Sequence, residues 1–106
     1  SVTRDPSRDS TVTVNGWTVT RTHLSGNWYH IKAQHTFTSK TGAFVQALTV
    51  PWSVPVEQSM PCIGCVGSTA VAYGTATYSG AVLSVSFAGY GAAVTVIAAG
   101  NIVLSD

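Results

Sequence analysis

The stretch Thr11–Arg21, TVTVNGWTVTR, decides the fold class. Valines alternate with threonines on both sides of Asn15-Gly16, and strict alternation puts one residue type on each face of an extended chain. Asn-Gly readily takes the positive φ angles of a two-residue hairpin turn, so two antiparallel strands are expected to meet there.

Outward from this hairpin the same period continues. After Ser25-Gly26-Asn27, the run WYHIKAQHTFT sets Tyr29, Ile31, Ala33, His35 and Phe37 on one face, with Trp28, His30, Lys32, Gln34 and Thr36 on the other. AFVQALTV makes a further short strand, while Pro51 and Pro55 interrupt ladder pairing around Trp52, so WSVPVEQSMP reads as an extended crossing loop. Beyond it CVGSTAVAYGTATY, AVLSVSF, AAVTVI and NIVL are strand-forming runs separated by Tyr78-Ser79-Gly80, Gly89-Tyr90-Gly91 and Gly100-Asn101. No segment carries a sustained helical period. The expected fold is all-β: a small antiparallel β-barrel or sandwich, Greek-key-like, of seven to nine short strands.

The first ten residues, SVTRDPSRDS, hold four charges, a proline and no apolar period. They read as a linker or arm over residues 1–10, and residues 11–106 as one domain.

Charge is sparse and unevenly placed. Charged residues make up 8% of the 106, against roughly a quarter in an ordinary soluble domain, and none lies between Glu57 and Asp106. A neutral half is expected to pack against identical copies, because interfaces between copies lose charge. The net charge of +1 supplies no basic field for phosphate backbones, so no nucleic-acid partner is expected. Residues 87–104 are uncharged, but Val94, Val96, Ile102 and Leu104 fall at even spacing and three glycines interrupt, which argues a strand and no membrane insertion.

Chemistry-bearing constellations are few. Cys62-Ile-Gly-Cys65 has the spacing of half a zinc site or of a redox pair, yet a redox pair normally opens a helix after a strand, and a zinc site would need His23, His30 or His35 brought to the cysteines by the fold. A plain strand or turn role is expected for these cysteines, with no metal and no cofactor, and their redox state stays open. The acids Asp5, Asp9, Glu57 and Asp106 form no pair, and no serine lies in a GxSxG elbow, so no catalytic residue is assigned. Trp28, His30, Lys32 and Gln34 combine a flat ring with hydrogen-bonding groups on one strand face, a pattern suited either to sugar recognition or to a solvated surface. Trp17 and Trp52 could each be a stacking platform or a core filler, with core favoured for Trp17.

Taken together, the arm, the strand GNWYHIKAQHTFTS, the crossing segment VPVEQSMPCIGCVG with Val54-Pro55 and Pro61, and the neutral glycine-rich end resemble the head domain of receptor-binding proteins from the tail tips of phages infecting Gram-positive bacteria. The resemblance covers roughly residues 17–106 and contains no catalytic motif. It implies a non-enzymatic β-barrel head that forms a homotrimer and binds saccharide of the host cell wall, next to other tail and baseplate proteins at the virion tail tip. Residues 1–10 would then lead from a neck or shoulder domain. The family pattern does not name the sugar ligands; side-chain chemistry selects Trp28, His30, Trp52 and Gln58, followed by His23. The competing expectations are a structural virion or appendage module and a secreted carbohydrate-binding module.

Overall fold

The computed structural model describes residues 3–105 and is all-β. Eight strands follow one another: β1 Ser10–Val14, β2 Trp17–Ser25, β3 Trp28–Phe37, β4 Phe44–Thr49, β5 Gln58–Val66, β6 Thr69–Ser79, β7 Val82–Phe87 and β8 Val94–Val103. They form one curled antiparallel sheet, a half-barrel, in the order β1-β2-β3-β8-β5-β6-β7-β4. The eight strands fall within the expected seven to nine.

The Asn15-Gly16 hairpin forms as its sequence requires, with φ of 51° and 83° and Val14 opposite Trp17. Positive φ at both central residues matches the turn to the strand twist. The core lies on the concave side. Trp17, Val19, Tyr29, Ile31 and Ala33 meet Leu48, Leu83, Val85, Phe87, Val96 and Ile102 there. Trp17 is a core residue; it stacks on His35 and meets Phe37 and Phe44 edge-on.

Three strand boundaries depart from the sequence reading. The crossing segment ends at Glu57, and Gln58–Pro61 already belongs to β5. Pro61 is tolerated because backbone pairing of β5 with β8 begins only at Cys62, leaving β6 as its ladder partner at that position. Gly67-Ser68 turns the run CVGSTAV into a hairpin, Val66 opposite Thr69, with Gly67 at φ 59°. Gly100-Asn101, read as a turn, lies inside β8. A Cβ on Gly100 would come 2.8 Å from the Met60 Cβ, so this glycine serves a close approach of β5 and not a reversal.

Cys62 and Cys65 sit on β5 as free thiols. Burial pushes the Cys62 thiol up to about 11, which keeps it protonated at neutral pH.

Candidate functional site

The surface of interest is the convex face of β2, β3 and β8. The ladder registers fix which side chains share it: Thr22, His30 and Asn101 form one lateral row; Thr20, Lys32 and Ala99 the next; Thr18, Gln34 and Ile97 the third. Trp28 stands beyond His30 on the same face of β3, paired with Val103 and 49% exposed.

His30 is the polar centre of this face. Its Nδ1 lies 3.0 Å from Asn101 Oδ1, and since a carboxamide oxygen only accepts, Nδ1–H is the donor. In the neutral ring Nε2 is then an acceptor, and the Asn101 amide keeps its donors. Acceptor and donors beside an exposed indole are the groups a polyhydroxylated ring needs: a flat apolar surface and paired hydroxyl partners. Two residues further along β3, a cleft of about 320 Å³ is lined by Gly16, Thr18, Thr20, Lys32, Gln34, His35 and Thr36. In these three rows Lys32 is the one Lys or Arg side chain, and the ion pairs among the described residues, Arg4–Asp9 and Arg8–Asp5, lie near the N-terminus.

The other three residues selected by chemistry lie elsewhere. His23 is fully buried on the concave side. Its Nδ1 accepts from the Asp5 N–H at 2.8 Å, its Nε2–H donates to the Gly26 carbonyl at 2.9 Å, and its ring meets Tyr29 edge-on. Both nitrogens are taken, so no ligand reaches them. Trp52 is 8% exposed, packed in the core, with the Arg21 guanidinium 5.3 Å from its ring centroid; its carbonyl accepts from the Tyr78 hydroxyl. A covered ring cannot stack on a sugar. Gln58 spends its carboxamide on Val103, Oε1 accepting from the N–H at 2.9 Å and Nε2 donating to the carbonyl at 2.8 Å. It acts as an artificial ladder rung where the β5–β8 backbone pairing has ended.

His23 also anchors the N-terminal segment. Arg4 holds Asp9 in a bidentate pair at 2.7 Å, Asp9 Oδ1 accepts from the His23 N–H at 2.8 Å, and Arg8 donates to the Gly26 carbonyl. The Arg4 guanidinium, helped by the His23 N–H, holds the Asp9 carboxyl down to about 2. Residues 4–9, read as an arm from their charge, are therefore clasped against β2 through a short 3₁₀ turn at Pro6–Arg8.

Asn101 belongs to the candidate surface but is absent from the residues selected by side-chain chemistry. Its pairing with His30 spans 71 positions in the chain, and its place after Gly100 suggested a turn. No family model, no curated protein and no solved structure matches this chain.

Proposed function

We propose that the chain is a non-enzymatic receptor-binding head that recognises saccharide of a host cell wall and works as a homotrimer, carried with other tail or baseplate proteins at a phage tail tip. The observation that carries this reading is the exposed Trp28 beside the His30–Asn101 pair on a sheet face almost free of charge. The half-exposed indole offers a flat apolar face on which a sugar ring can stack while its hydroxyls engage the imidazole and the carboxamide. Lys32 and Gln34 in the adjoining cleft extend the same surface.

The trimer is supported by where charge is absent. Among the described residues only Arg21 and Lys32 lie on strands; β1 and β4 to β8 carry no charged side chain. Interfaces between copies favour such surfaces. The resemblance of residues 17–106 to phage heads adds the assignment to a tail tip.

The experiment is a titration of the intact chain with purified cell-wall saccharides of Gram-positive bacteria, wild type beside Trp28→Ala. The reading expects saturable binding that the variant loses by tenfold or more, with its fold unchanged. Equal binding by both proteins, or none by the wild type, contradicts it.

A further inference from the structure

Among the described residues the sheet order leaves two strands with one neighbour each: β1, paired with β2, and β4, paired with β7. The hairpin geometry fixes what the β1 edge offers. In a two-residue hairpin the flanking residues, here Val14 and Trp17, exchange both backbone bonds, and the pairs then alternate down the ladder. Thr11 and Thr13 therefore point their N–H and C=O groups away from β2.

Free edges are normally protected by charged side chains, prolines or bulges. β1, STVTV, and β4, FVQALT, have no charged residue and no proline, and their ladders run without a register shift. On β4, Val45 is 72% exposed, an apolar side chain in water on an edge strand where the Ala47 carbonyl accepts from the Gln46 carboxamide at 3.2 Å.

Parity decides which partner suits these edges. Every strand is antiparallel to its neighbours and there are eight, so β1 and β4 run in opposite directions. Copies related by a rotation axis along the strands present β1 of one beside β4 of the next, already antiparallel. Two β1 edges under that axis would be parallel, and their antiparallel pairing needs a perpendicular twofold that stops at two copies. A β1-to-β4 contact is heterologous and can close a ring. The two edges also match in length, at 5 and 6 residues.

We infer that copies of this chain join edge to edge, β1 of one copy adding antiparallel to β4 of the next, so that the sheet continues around a closed ring. The inference rests on the trimer of the preceding subsection and names the surface that makes it. Thr11 and Thr13 supply backbone bonds, and the neighbour covers Val45.

The test is the solution mass of the full chain at micromolar concentration for the wild type, Thr13→Pro, Val45→Lys and, as a control away from both edges, Thr75→Lys on the exposed face of β6. Thr13→Pro removes an outward donor without touching a β1–β2 bond; Val45→Lys places a charge at a site already exposed, so the fold should survive. The expected result is a trimeric wild type and control, with both edge variants at one third of that mass and with unchanged circular dichroism. A trimer that persists in Val45→Lys, or one that only Thr75→Lys breaks, overturns the edge contact and leaves the trimer standing. A monomeric wild type overturns both, whereas the saccharide reading stands or falls on its own titration.

Discussion

The Gln58 side chain and the Val103 backbone exchange two hydrogen bonds, at 2.9 and 2.8 Å, across the gap where β5 and β8 have stopped pairing. The carboxamide takes the place of a peptide group. Removing it leaves the Val103 N–H and C=O without protein partners, at a cost of about 1–3 kcal/mol for groups that are partly shielded. Gln58→Ala should lower the urea midpoint accordingly while saccharide affinity stays the same. A loss of affinity with unchanged stability would restore Gln58 to the ligand surface.

Glycine at 100 answers to Met60. Gly100→Ala places a methyl 2.8 Å from the Met60 Cβ, inside contact distance, and should destabilise by about 1–3 kcal/mol. Because the clash is with Cβ itself, only Met60→Gly relieves it sterically; Met60→Leu should not. A chemical-denaturation double-mutant cycle reads the coupling, and additivity would contradict the close approach.

The N-terminal clasp is acid-sensitive through Asp9. Its carboxyl titrates at about 2 in the folded chain against an ordinary 3.8, held by the Arg4 guanidinium and the His23 N–H. A depressed folded value means that the stabilisation is complete above 3.8 and disappears as the pH falls towards 2. The melting temperature of the wild type should therefore exceed that of Asp9→Asn at pH 6, and the two curves should converge near pH 2. A constant gap across that range would show that Asp9 acts by shape and not by charge.

His23 should behave as a structural residue. Its replacement by Ala leaves the Asp5 N–H unpaired, leaves the Gly26 carbonyl with the Arg8 guanidinium as its donor, and opens a cavity beside Tyr29. A loss of about 2–4 kcal/mol is expected. Limited proteolysis should then cut first before Ser10, because the clasp has lost its anchor; unchanged protection of that segment would contradict this role.

The fold was legible where its information is local. Alternation in TVTVNGWTVTR and WYHIKAQHTFT located β1 to β3 and their buried faces, and Trp17 in the core followed from the same period. What was illegible is carried by distant partners. Gly100 looked like a turn because the Met60 that needs its missing side chain lies 40 positions earlier. Asn101 was hidden by the same misreading. His23 and Gln58 have the chemistry of ligand residues, yet that chemistry is consumed by Asp5, Gly26 and Val103, and no spacing rule announces this. Trp28 and His30 were chosen for their place on the polar face of one strand, and they are the two of the five selected residues that the fold leaves open to a ligand.

Saccharide binding across the convex face of β3 and β8, as proposed, can be located by nuclear magnetic resonance of the labelled chain during titration with a cell-wall saccharide. The expected shifts are concentrated at the Trp28 indole, the His30 ring and the Asn101 amide and extend to Lys32 and Gln34, with the His23 ring and the Gln58 amide unmoved. Shifts centred on His23, Trp52 or Gln58, or none at millimolar saccharide, would contradict it.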